Sequence, residues 1–274
     1  QYKRRESPAV GRKKVRTEKG TNMAFENLRT QAQVGTGAYA GEIDAGLRAH
    51  MLRVYNYMVS GLVVTGLVAW VMFSQSFVVE SGQVVGLTEL GNVVYNSPLK
   101  WLVMLSPLAF IMVISFGIQR MSFGTLQIVF WAFAAAMGVS IATIFATFSG
   151  ESIARVFFIT AGTFAGMSIW GYTTKRDLTK MGSFLMMGLI GIIIASVVNI
   201  FIGSSAIQFA VSIIGVVIFT LLTAYDTQRI KNDYLEYRSH GEAVGKMAIM
   251  GAVSLYLDFV NLFMLLLSLF GNRN

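Results

Sequence analysis

Apolar runs of roughly 20 residues, separated by short polar breaks, recur along the chain from residue 54 to residue 270. A helix rises 1.5 Å per residue, so each run is long enough to cross a hydrocarbon layer about 30 Å thick. The runs are 54–74, 101–118, 126–148, 157–174, 182–202, 206–227 and 248–270. They predict an all-α polytopic membrane protein, a bundle of seven transmembrane helices over residues 51–274, preceded by a basic, largely disordered tail over residues 1–50. The break at 203–205 is a three-residue turn, so the fifth and sixth spans form a tight hairpin. The longest connection, 75–100, has room for a short interfacial helix.

Small residues within the runs predict where helices approach one another. Gly162 and Gly166 lie four apart beside Ala161 and Ala165 in the fourth span, Ala134 and Gly138 lie in the third, and Gly188 and Ala195 in the fifth. Helices in lipid are joined by van der Waals packing, and small residues let backbones come close. These positions read as packing contacts rather than as chemistry.

Asp258 breaks the apolar pattern about ten residues into the last span. A charge there costs about 2.5–3.5 kcal/mol on insertion scales, so such groups face the protein interior, pair, and mark ion or proton routes. Gly251, Ser254, Asp258, Asn261, Leu265 and Ser268 follow one another by three or four positions, the spacing of one helix face. Nearly all are small or polar, so the face cannot look at lipid and the last span belongs inside the bundle.

The sixth span carries Ser212, Gly215, Thr223 and Asp226 at compatible spacing. If the last two helices are continuous and fold about a tip near His240, Asp226 lies level with the neighbourhood of Ser254. Asp258 is then four residues, roughly 6 Å, further along. Two carboxylates that close share one proton and titrate as a pair. Asp226 and Asp258 are therefore the candidate pH sensor and gate, with Ser254, Asn261 and Thr223 as the polar stripe around them. Arg120, at the end of the second span, is the candidate counter-ion to Asp226, or else an interfacial anchor that snorkels. Asn199 in the fifth span reads as satisfying a neighbouring helix.

Composition agrees with the pattern. The chain is 54% hydrophobic and 13% charged, against about 25% charged in soluble domains. Its net charge of +8 resembles a nucleic-acid signal until it is located: residues 1–22 hold eight of the 22 Lys/Arg and two of the 14 acids. Such a run suits a positive-inside flank better than a nucleic-acid partner. It has no apolar core of a signal peptide, and a natural start at Met23 would make it an upstream extension. With the N-terminus in the cytoplasm, nineteen of the 22 Lys/Arg fall inside, against Lys100, Arg155 and Arg273 outside, so the positive-inside rule puts the N-terminus in. The absence of cysteine excludes disulfides, thiolate metal sites and cysteine nucleophiles. His50 and His240 lie outside the predicted spans, and the pattern calls for neither a metal centre nor a cofactor.

At this point three stretches carry a resemblance: Ala224-Tyr225-Asp226, the run from Ser254 to Phe263 (SLYLDFVNLF), and the closing Leu269-Phe270-Gly271-Asn272. From about Arg48 onward the chain resembles the Bax inhibitor-1 family, also called the transmembrane Bax inhibitor motif family, and its bacterial branch in particular. The resemblance implies a seven-helix bundle with the last helix central, sited in a bacterial inner membrane. It also implies a calcium-leak channel, Ca²⁺ being the permeant ion, regulated by a pair of aspartates that sense pH. Carried over residue by residue, the pair is Asp226 and Asp258. The family's arginine near the inner end of the second span maps only approximately onto Arg120.

Other functions fit less well. Intramembrane aspartyl proteases also use two aspartates, one after a tyrosine, and Tyr225-Asp226 fits. Their second element needs Gly-x-Gly-Asp, where this chain has Leu255-Tyr256-Leu257-Asp258, so no enzyme is expected. A cation or proton secondary transporter, or a protein that modulates another membrane protein or protease as its partner, are the alternatives. Tight calcium binding needs six to eight oxygens, more than Asp226, Asp258 and Asn261 supply, so the pair reads as gate or sensor.

Overall fold

A computed structural model describes residues 45–238 and 241–274; most of the basic tail, and His240, lie outside the described residues. Seven helices are long and apolar enough to cross a membrane. They are α1 (Ala45–Ser76), α3 (Leu99–Gly117), α4 (Phe123–Ile141) continued by the short α5 (Ile144–Thr147), α6 (Gly150–Thr173), α7 (Thr179–Ile202), α8 (Ser205–Tyr237) and α9 (Gly241–Phe270). All seven predicted spans are present, several with added polar turns. The largest additions are at the end of α8 and the start of α1, followed by the starts of α6 and α9, where helical geometry continues past the apolar stretch. The first span also begins earlier than predicted, so His50 lies within α1 and is buried rather than outside the spans.

The 75–100 connection holds more than a short helix. It opens with an antiparallel hairpin, β1 (Phe77–Glu80) and β2 (Gln83–Leu87). Ser81 and Gly82 turn it with φ of 53° and 81°, the positive values a two-residue primed turn requires. The predicted helix follows as the single turn α2 (Glu89–Gly91) and an adjoining π-helical stretch, Asn92–Asn96. Tyr95 ties this segment down by donating its hydroxyl to the Val139 carbonyl at 2.9 Å.

The core is built around α9. Just over half of its most apolar window, 56%, is buried, against 6% for α7 and 11% for α3. Tyr256, fully buried, shares a hydrogen bond with the Thr65 hydroxyl at 2.7 Å, and that hydroxyl also lies 2.8 Å from the Ala134 carbonyl. One cluster thus joins α1, α4 and α9. On another side of α9, Phe259 packs edge-on against Phe157 and Phe164 of α6, each at 5.5 Å between ring centres. At its far end Ser149 N–H donates to the Asn272 carbonyl at 3.1 Å, and Asn272 N–H to the Ser152 hydroxyl at 2.9 Å. The end of α9 therefore meets the start of α6, and α9 runs the height of the bundle.

Small residues do join helices, but not all those expected. A Cβ on Gly138 would lie 2.8 Å from Val68 Cβ, and one on Gly188 would lie 2.7 Å from Ile218 Cδ1. Gly162 and Gly166, by contrast, are exposed, and a Cβ on either would meet nothing within 4 Å. They do not pack helices together in this chain: α6 turns its Phe164 and Ser168 inward instead. The close approach of α6 to α8 is made one turn later, at Gly171, where a Cβ would strike the Ala224 carbonyl.

The fifth and sixth spans form the predicted hairpin. Gly203 ends α7 in the left-handed region at φ 68°, as helix C-termini commonly do. Ser204 caps α8, its hydroxyl accepting from Ile207 N–H. Asn199 belongs to this turn, its Oδ1 accepting from Ser204 N–H at 2.9 Å.

Candidate functional site

An extensive antiparallel seam joins α8 and α9, and its register is visible in four pairs. Ser212 meets Ser268 at 3.5 Å between hydroxyls. Leu265 covers Gly215, Ile230 covers Gly251, and Arg229 donates to the Ser254 hydroxyl at 3.0 Å. The residue numbers of each pair sum to about 480, the register of two continuous antiparallel helices of which one ends at Tyr237 and the next begins at Gly241.

Within the seam, the structure brings Asp226 to the level of Ser254. Arg229 lies one turn after Asp226 on α8, the i,i+3 spacing that places two side chains on one face. Its Nη2 sits 3.3 Å from Asp226 Oδ1 and also donates to Ser254. One guanidinium nitrogen therefore ties the carboxylate of α8 to the stripe of α9. Arg229 is 42% exposed while the Asp226 side chain is 11% exposed, so the pair stands at the rim of the seam with its acid inside.

Asp258 is one helical turn deeper on α9 and is 5% exposed. Its Oδ2 has no hydrogen-bond partner among the described residues. Across the seam, Asp226 and Arg229 of α8 stand at the level of Ser254, one turn away along α9. A buried polar atom without a partner is costly.

The rest of the stripe is quieter. Thr223, fully buried, returns its hydroxyl to the Phe219 carbonyl at 2.8 Å, and Asn261 donates to the Leu257 carbonyl at 2.8 Å. Both satisfy themselves within their own helices. Arg120 lies exposed in the turn after α3, and α3 packs chiefly on α4. Among the described residues the ion-pair partner of Asp226 is thus Arg229 rather than Arg120, which lies exposed beyond the end of α3, a helix little buried in the bundle.

Sequence reasoning passed over Arg229 although its signal was present as the Asp-x-x-Arg spacing. It also passed over Gln228, which holds the α6–α7 loop by accepting from Leu178 N–H and donating to the Arg176 carbonyl, each at 2.8 Å. His50 stacks on Tyr234 at 4.8 Å, and its Nδ1 is buried without a partner among the described residues. It lines a cavity of about 310 Å³ together with Arg229, Asp233 and Ser254. No local pattern announces such long-range meetings.

Comparison with known proteins agrees with this architecture. Residues 47–274 match the family described as Inhibitor of apoptosis-promoting Bax1. An uncharacterized protein of Rickettsia prowazekii is 43% identical over 231 residues, covering 84% of this chain and 92% of the relative. One from Caulobacter vibrioides is 42% identical over 237 residues, covering 84% and 91%. The inner membrane protein YbhL of Escherichia coli is 41% identical over 231 residues, covering 84% and 94%. A seven-span bundle around a central last helix, matched over nearly its whole described length, identifies this chain as an integral membrane protein of the Bax inhibitor-1 family.

Proposed function

We propose that this protein is a pH-sensitive cation leak, with Ca²⁺ as the permeant ion, gated by Asp226 and Asp258 in an inner membrane with the N-terminus on the cytoplasmic side. The observation that carries the reading is Asp258: a mid-span carboxyl, buried, with one oxygen unpartnered among the described residues and a second carboxyl, Asp226, on the facing helix of the seam. Such a group attracts cations into a region that lipid would otherwise close to them. The Arg229 guanidinium is the counter-ion that takes the place foreseen for Arg120.

The gate follows from the bonds. With Asp226 charged, Arg229 is held against both Asp226 and Ser254, and the two helices are tied together at the rim. Protonation of Asp226 removes the charge that holds Arg229, freeing Ser254 and loosening the seam, while Asp258 remains the acidic group that draws cations in. The leak rises as pH falls. No oxygen cage is needed, because the carboxyls act as sensor and selectivity element rather than as a tight binding site.

Calcium flux into liposomes, followed from mildly acidic to mildly basic pH, tests this. Wild type should leak more at the acidic end. Asp226→Asn should leak at the acidic level throughout, and Asp258→Asn should lose both conductance and pH response. A pH profile unchanged in both variants overturns the sensor.

A further inference from the structure

Two cavities lie along the α8–α9 seam, one on each side of the aspartate pair. The first, about 310 Å³, contains Ser254 of α9 together with Arg229 and Asp233 of α8. The second, about 330 Å³, lies between α7, α8 and α9 near the Gly203 turn and contains Ser212, Ser268, Asn199 and Leu265. Both have mixed walls, with Ile230, Met247 and Met250 beside the polar groups of the first and Ile200, Val211 and Met264 beside those of the second, and both are large enough for several waters. On α9 they begin and end on one stripe, since Ser254, Asp258, Asn261, Leu265 and Ser268 share a face.

The seam is singular among the faces of α9. Toward α6 it is closed by the edge-packed rings of Phe157, Phe164 and Phe259, and toward α1 and α4 by Tyr256 and Phe133. Toward α8, among the described residues, a line of polar groups continues between two hollows. Ser254 and Leu265 are eleven residues apart, about 16 Å along a helix, against a hydrocarbon layer of about 30 Å. The stretch of α9 between the two cavities is therefore about half the thickness of the layer. At the second cavity's floor Leu265 lies over Gly215, where a Cβ would come within 2.7 Å of Leu265 Cδ1. Glycine there lets the leucine seat against the α8 backbone.

We propose that the permeation path runs along this seam from one cavity to the other, and that Leu265 seated on Gly215 is the apolar seal that closes its second half. The proposal rests on the leak reading above and adds to it a route and a second barrier, distinct from the Arg229 tie. The aspartates set the response to pH; the leucine sets how much passes when the tie is released.

The cysteine-free chain lets both halves be tested in the full-length protein. Leu265→Ala should raise calcium leak severalfold in liposomes, Leu265→Val by less, and both should keep the wild-type pH profile. In parallel, single substitutions Ser254→Cys and Ser268→Cys should react with a membrane-impermeant cationic thiol reagent from opposite sides. Asn261→Cys should react slowly, and faster when combined with Leu265→Ala. A pH-dependent wild-type leak that Leu265→Ala leaves unchanged overturns the seal while the leak reading stands. Labelling of Ser268→Cys and Ser254→Cys from the same side, or of neither, overturns the route. A wild type without leak overturns the reading on which both depend.

Discussion

Arg229 works through two neighbours at once, and that sets what its removal does. Truncating it leaves Asp226 inside the seam without its cation and Ser254 without its donor. Breaking a fully buried pair costs 3–5 kcal/mol, but Arg229 is 42% exposed and water replaces part of what it supplies, so the cost approaches the surface value of about 1 kcal/mol. Arg229→Gln should lower the melting temperature in detergent only slightly while raising the leak at neutral pH to the level wild type reaches in acid. Tyr256 offers the contrast. Tyr256→Phe keeps the ring and removes one hydrogen bond, and the Thr65 hydroxyl retains the Ala134 carbonyl. Interhelical hydrogen bonds in membranes average about 0.6 kcal/mol, so the variant should lose about that much stability, read from thermal unfolding, with flux unaltered.

At the level of elements, glycines test which helix faces meet. Gly171 lies against the Ala224 backbone, with no flexible side chain to move aside. Overpacking of this kind costs about 1–3 kcal/mol, so Gly171→Ala should separate α6 from α8 and lower the melting temperature. Gly166→Ala, on an open face, should leave it unchanged within about 0.5 kcal/mol. The sequence pointed to Gly162 and Gly166 because it shows spacing but not the direction a helix faces. It found all seven spans because apolar length is a local property. It missed the ends of α8 and α9 because those turns are polar and are held by contacts with distant residues, such as Gln228 against the 176–178 loop. The hairpin in 77–87 escaped for a different reason: its strands are only four and five residues long, too short for alternation to stand out beside apolar runs.

The whole molecule shows how far a local pattern reaches. Asp258 and its stripe were legible because a charge in an apolar run is conspicuous wherever it falls, and Asp226 followed from counting along a two-helix hairpin. The counter-ion was not legible in the same way. Arg120 was chosen by its nearness in the expected topology, and α3 turns out to lie outside the seam, packed on α4. Arg229 was three residues from Asp226 throughout, visible as spacing but not as a contact until the fold of α9 brought Ser254 to it. The two cavities could not be read from sequence at all, since each is enclosed by side chains from more than one helix.

The burial of α9 bears on how the bundle is made. Its most apolar window is 56% buried where no other span exceeds 33%, yet it is the last of the seven to leave the ribosome. Six helices must enter the membrane before their common core exists, and the aromatic and hydroxyl faces of α1, α4 and α6 that will receive it are meanwhile turned to lipid or to one another. Helices insert first and associate afterwards, so assembly here amounts to the docking of a final polar-striped strut into a waiting ring. Synthesis of the chain and completion of its core are thereby the same event, since the α8–α9 seam exists only once the last helix is in place.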